Sequence, residues 1–91
     1  MSATVRIPTI LRPYTGGVPE VAADGGTLAA VLDSLEATHP GIRARVLDDD
    51  GAIRRFVNVY VNDDDVRFAE GLGTATPDGA TVSIIPAVAG G

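Results

Sequence analysis

One segment of this chain predicts a helix with a face to bury, and the rest must be arranged around it. Leu28, Val31, Leu32 and Leu35 fall at i, i+3, i+4 and i+7, an apolar stripe along one side. Asp33, Ser34, Glu36 and Thr38 take the opposite, wet side. Asp24-Gly25-Gly26-Thr27 leads in, with Thr27 or Asp24 as the N-cap. His39-Pro40-Gly41 ends the helix, and Ile42 to Leu47 has room for one more turn.

The remaining apolar segments read as strands. Val5 and Ile7 alternate with Thr4 and Arg6, giving a strand over Ala3 to Leu11 in which Pro8 marks an edge, a bulge or the end. Thr15-Gly16-Gly17 is a turn, and Val18 to Ala23 returns as the second arm of a hairpin, with Pro19 best placed on a free edge. Arg55 to Asn62 is the clearest strand: Val57, Val59 and Val61 form one face, Phe56, Asn58 and Tyr60 the other. Asn62 to Asp65 reads as a turn, Val66-Arg67-Phe68 as a short extended piece, Gly71-Leu72-Gly73 as a surface crossing, and Thr81 to Ile85 as the last strand. The order β-β-α-β-β-β, with one helix, predicts a two-layer α+β domain. A mixed sheet wraps that helix, and the first and last strands pair in parallel at its centre.

Composition narrows the function classes. With 91 residues the chain suits one small domain. It has no Cys, hence no disulfide, thiolate metal site or cysteine nucleophile. The net charge is −5, with no Lys, and the seven basic residues are all Arg. That balance argues against nucleic acid as a partner and excludes a Schiff-base or phosphate-loop lysine. Taken as a whole, it favours a protein partner with a basic rim. No apolar run is long enough to span a membrane, and the opening residues lack the layout of a secretory signal, so the expected location is the cytoplasm.

No enzyme constellation emerges. For Asp48-Asp49-Asp50-Gly51 to be a calcium loop, Val46 and Val57 would have to be ligands, so the segment reads as a solvated turn. His39 is the only histidine and has no partner for a metal site or triad. The chain is expected not to be an enzyme, and to hold no metal and no bound cofactor.

The last residues carry the chemistry. Ile84-Ile85-Pro86-Ala87-Val88-Ala89-Gly90-Gly91 follows the turn Thr76-Pro77-Asp78-Gly79 and an apolar strand. Residues 1–85 are read as the domain and 86–91 as a flexible tail. Pro86 fixes φ where the tail departs, and Gly90 and Gly91, without Cβ atoms, suit a narrow channel. Extended from Pro86, the tail spans roughly 20 Å, enough to deliver the Gly91 α-carboxylate into another protein's active site.

This ending resembles the Asp-Gly-Asp-x-Val-x-Ile-x-Pro-Pro-Val-x-Gly-Gly terminus of ubiquitin-like sulfur carriers of the ThiS/MoaD group, and within it the actinobacterial CysO type. Ile7-Pro8-Thr9-Ile10-Leu11-Arg12-Pro13, Arg55 to Asp63 and Asp65 to Phe68 extend the likeness over most of the chain. Ala87 departs from it, standing where a second Pro is usual, which disfavours molybdopterin synthesis. The resemblance implies the ubiquitin-like β-grasp fold. It implies that an E1-like adenylating/sulfurtransferase enzyme uses ATP to adenylate Gly91, and that a sulfur donor converts it to a thiocarboxylate. The acceptor implied is a PLP-dependent cysteine synthase working on O-phosphoserine, with a metalloprotease releasing cysteine. Gly90, Ala89, Val88 and Pro86 are then the tail that the partners recognise. The alternatives are sulfur delivery to thiamin, molybdopterin or a secondary metabolite such as a thiosugar, conjugation to other proteins as a ubiquitin-like modifier, and an interaction domain with an idle tail.

Overall fold

A computed structural model describes residues 2–86 of the chain. The elements are β1 (Ser2–Arg6), β2 (Glu20–Asp24), α1 (Leu28–Thr38), α2 (Arg43–Val46), β3 (Val57–Val61), β4 (Asp64–Asp65) and β5 (Thr81–Pro86). Five strands form one sheet in the order β2-β1-β5-β3-β4. β1 and β5 are parallel, and every other pair is antiparallel. The architecture is the predicted one, with β5 in the middle.

Burial follows the sequence periods. Leu28, Val31, Leu32 and Leu35 of α1 are at most 1 % exposed. They pack against Ala3 and Val5 of β1, Val57, Val59 and Val61 of β3, and Val82 and Ile84 of β5, all in one core. Alternation puts the second set, Asn58 and Tyr60 in β3 and Ile85 in β5, on the sheet face away from that core. Thr27 is the N-cap, its Oγ1 accepting from the Ala30 N–H at 3.3 Å. The predicted extra turn is α2, and its junction with α1 is held by Glu36. That carboxylate accepts from the Gly41 and Arg43 N–H groups, each at 2.9 Å. These two bonds, Gly41 first, hold its pKa below the ordinary glutamate value, helped by the nearby Arg43 charge.

Three expectations need correction. β1 ends at Arg6, because Pro8 opens a 3₁₀ helix over Thr9–Thr15 that sinks Leu11 and Thr15 beneath the sheet end. Asn62 to Asp65 is more than a turn. Asp64 and Asp65 pair back on Val61 and Tyr60, and Asn62 takes φ +55°, the left-handed conformation a tight two-residue hairpin demands. Val66–Phe68 is 3₁₀ rather than extended, because Asp65 caps it by accepting from the Arg67 N–H at 2.9 Å while Val66 turns fully inward. The acidic loop behaves as read: Asp48 Oδ1 accepts from the Asp50 and Ala52 N–H groups at 2.9 and 3.1 Å.

A contact invisible to periodicity locks the helix entry. Thr76 is fully buried, its hydroxyl donates to the Gly25 carbonyl at 2.8 Å, and its N–H donates to the Gly26 carbonyl at 3.0 Å. The Leu28 N–H donates to the Thr74 carbonyl at 3.0 Å, which satisfies a donor at the start of α1.

Candidate functional site

Of the residues predicted to act, Pro86 lies within the described part of the fold. Gly91, Gly90, Ala89 and Val88 lie outside the described residues. Pro86 is the final residue of β5 and pairs with Val57 of β3. The sequence put the end of this strand one residue earlier; pairing with β3 includes Pro86 because a register position without an N–H is tolerated where the ladder stops. The segment predicted to act therefore begins at the end of the central strand, where Ile84, Ile85 and Pro86 pair with β3, while β1 pairs with β5 only as far as Ser83. A base continuous with a strand paired on both sides sets the direction in which the chain leaves it.

Two grooves flank that strand end. The first is about 310 Å³. Ile84, Pro86 and Val57 form its floor, Ile10, Leu11 and Tyr14 of the 3₁₀ helix form one wall, and Arg45 of α2 and Arg54 form the other. Ile10 is 65 % exposed, an apolar side chain offered to solvent beside the tail's root. The second groove, about 340 Å³, runs along the other side between the end of β1, Arg12, Pro19, Glu20 and residues 83–85. Ile85, 49 % exposed, stands in it.

Polar contacts fix these walls. Arg45 Nε donates to Tyr14 Oη at 2.8 Å, and its guanidinium carbon lies 5.9 Å from the Tyr14 ring centre. Arg54 Nε donates to the Ala44 carbonyl at 3.0 Å, and Arg12 Nε to the Ile7 carbonyl at 3.2 Å. Arg67 braces the start of β3 from behind. Its Nη2 donates to the carbonyls of Arg54 and Val57, both at 2.7 Å, and its Nη1 donates to Asn58 Oδ1 at 2.6 Å. Sequence reasoning passed over all four arginines. Arg45 and Arg67 were legible only as surface charges, since their partners are 31 and up to 13 residues away.

The lining of the two grooves holds no His, Cys or Lys among the described residues. Among the described residues no cluster of His, Asp and Glu is arranged to hold a metal ion. His39 sits at the C-cap of α1. What the arrangement offers is a strand end with apolar and cationic shoulders.

Comparison with known proteins agrees with this geometry. The ThiS family model matches residues 5–91. Sulfur carrier protein CysO of Mycobacterium tuberculosis is 58 % identical over 93 aligned positions that span all of both chains. The crystal structure of that CysO, an antigen, superposes with a TM-score of 0.91 at 57 % identity, covering 94 % of this chain and 99 % of that one. A chain of the Amycolatopsis orientalis BexX/CysO complex superposes with a TM-score of 0.92 at 52 % identity, covering 98 % and 99 %. Small archaeal modifier protein 3 of Haloferax volcanii is 43 % identical over 68 residues, 75 % of this chain and 73 % of that one. A mixed five-stranded sheet on one main helix, and a match from residue 5 to residue 91, place this chain in the ThiS family with the ubiquitin-like β-grasp fold.

Proposed function

We propose that this protein is a sulfur carrier that holds sulfur as a thiocarboxylate on Gly91 and delivers it for cysteine biosynthesis. The observation that carries this reading is the end-to-end 58 % identity with the mycobacterial sulfur carrier. The fold supports it, because the central strand β5 leads directly into Ala87-Val88-Ala89-Gly90-Gly91. The protein is a carrier and not an enzyme; its partners do the bond making.

A carboxylate at neutral pH is anionic and a poor electrophile. An E1-like partner supplies ATP; a Gly91 carboxylate oxygen attacks the α-phosphorus, and pyrophosphate leaves. A sulfur nucleophile then adds to the acyl-adenylate carbonyl, AMP departs, and the carbon keeps the sulfur. The thiocarboxylate is an anionic nucleophile tethered to a globule, so the sulfur stays bound until delivery. Its acceptor is an activated serine, O-phosphoserine, on a PLP-dependent cysteine synthase, where sulfur displaces phosphate. The product is a thioester between Gly91 and the cysteine sulfur. Transfer of the acyl group from that sulfur to the α-amino group of the same cysteine frees the thiol and leaves an amide-linked carrier–cysteine adduct, and a metalloprotease hydrolyses it to restore Gly91. Pro86, Val88, Ala89 and Gly90 are the recognition segment, and the absence of side-chain bulk at Gly90 and Gly91 admits the tip to narrow channels. The BexX/CysO complex shows a relative of this chain bound to another protein. No helix of the described residues is long and apolar enough to cross a membrane, and the chemistry proposed is that of the cytoplasm.

The test is to incubate the full chain with ATP, an E1-like activating enzyme and sulfide, and to weigh the intact product. Replacement of one oxygen by sulfur at Gly91, followed by cysteine formation on adding the synthase and O-phosphoserine, is the expected result. Sulfur gain with transfer to a different acceptor would redirect the pathway. Amide conjugates to other proteins in its place would favour the modifier reading suggested by the archaeal relative.

A further inference from the structure

The chain is acidic as a whole, yet its charges are not evenly placed. The two grooves flanking the end of β5 are lined by Arg6, Arg12, Arg45 and Arg54 against a single acid, Glu20. Four of the seven arginines therefore stand there, with a local balance of +3 inside a chain of −5. Asp48, Asp49 and Asp50 follow α2 and line neither groove, and four other acids stand at the far end of the sheet. Asp24 pairs in register with Ser2, Asp78 accepts from the Ser2 N–H at 2.9 Å, and Asp63 and Asp64 form the β3–β4 turn beyond Val61, opposite Val82. All four lie at the end of the sheet where β5 begins.

The collar arginines are also pre-set. Arg12, Arg45 and Arg54 are each held through Nε, to Ile7, Tyr14 and Ala44, so one side of each guanidinium is fixed. Their Nη nitrogens make no hydrogen bond or salt bridge among the described residues. A planar fork held on one side and open on the other is prepared for a carboxylate, and it loses less freedom on binding than a loose Lys would. Between Arg45 and Arg54 the groove floor is apolar.

We propose that this collar docks an acidic, apolar-anchored segment at the mouth of the partner that receives the tail, with its carboxylates on Arg45 and Arg54 and an aliphatic side chain over Val57 and Ile84. Net charge alone predicts a basic rim on that partner; the placement of the charges reverses the sign where the tail enters. The inference rests on the carrier reading for what the partner does, and on the grooves alone for what it looks like.

Two measurements separate these dependencies. In an amide NMR titration of the full chain, the peptide acetyl-Glu-Leu-Asp-Leu-Glu-amide is expected to give saturable shifts at Leu11, Tyr14, Arg45, Arg54 and Val57. The same peptide with lysines for its acids gives none, and Arg45→Gln/Arg54→Gln abolishes the response. Saturable shifts with the lysine peptide only, with both peptides, or with neither overturn the proposal. In the thiocarboxylate assay, the double variant is expected to raise the KM for the carrier about tenfold, with kcat unchanged. Arg43→Gln, whose charge pairs with Asp33 at 3.2 Å away from the collar, leaves both parameters unchanged. A KM that falls, as a basic rim would require, or does not move, overturns the docking site while the carrier reading stands. Loss of the mass change in the wild-type protein overturns the carrier reading, and the peptide titration still decides the collar.

Discussion

At the scale of single residues, one position in the loop entering α1 and one in its last turn matter more than their composition suggests. A Cβ on Gly25 would stand 2.6 Å from the Val31 nitrogen and 2.8 Å from the Ala30 carbonyl carbon, both backbone atoms that cannot move without shifting α1. The neighbouring Gly26 has open space around its missing Cβ and no positive φ. Gly25→Ala is expected to cost about 2 kcal/mol by overpacking. Gly26→Ala should stay within about 0.5 kcal/mol of wild type, both read from urea unfolding. At the exit, Glu36 accepts two backbone N–H bonds that only its ionised form makes at full strength. Its pKa is depressed in the folded state, so its contribution is complete above the unfolded glutamate value and is lost as pH falls through the lower, folded value. Glu36→Gln should therefore lower the melting temperature at neutral pH, and the gap from wild type should close in acid. A gap that persists unchanged in strong acid would show that packing, not charge, is what the substitution removes.

At the scale of elements, β5 is positioned by its neighbours, and β3 is the neighbour with the weakest hold at its start. Two residues ahead of β3, Arg55 has no core role, and Phe56 is 55 % exposed. Arg67, from the 3₁₀ turn after β4, gathers the Arg54 and Val57 carbonyls and the Asn58 side chain onto one guanidinium. Lysine keeps the charge and loses the fork, so Arg67→Lys is expected to destabilise by about 1 kcal/mol in urea melts. Faster amide exchange should appear first at Val57 and Asn58. A uniform change across the sheet would argue against a local brace. The same element explains why Val66–Phe68 was misread: its pattern of apolar, charged, apolar suits a strand, but the Asp65 cap and the Arg67 bonds reward a tight turn.

At the scale of the whole molecule, the proposed function divides the labour between globule and tail. The core holds the sheet as one unit, and the proposed reaction happens beyond it. A C-terminal tag fused after Gly91 should leave the thermal unfolding midpoint within experimental scatter while abolishing thiocarboxylate formation. Sulfur loading of a protein whose tag is still attached would rule out Gly91 as the reacting group. Charge follows part of the same division: Asp24, Asp63, Asp64 and Asp78 stand at the end where β5 starts, and four arginines line the grooves around the end where it stops.

Read alone, the sequence determined the elements whose burial has a period: the α1 stripe, the alternating valines of β3 and the apolar run of β5. It also determined the ending that marks the ThiS family. Periodicity is a local property, set by the 3.6-residue and two-residue repeats of helix and strand, so it is written in neighbouring residues. Only the tertiary structure decided that Thr76 would seal the entry to α1 and that arginines scattered from position 6 to position 54 would gather around one strand end. Those outcomes depend on which distant segments the folded sheet brings within reach of one another, and no short window of the chain contains both halves of such an arrangement.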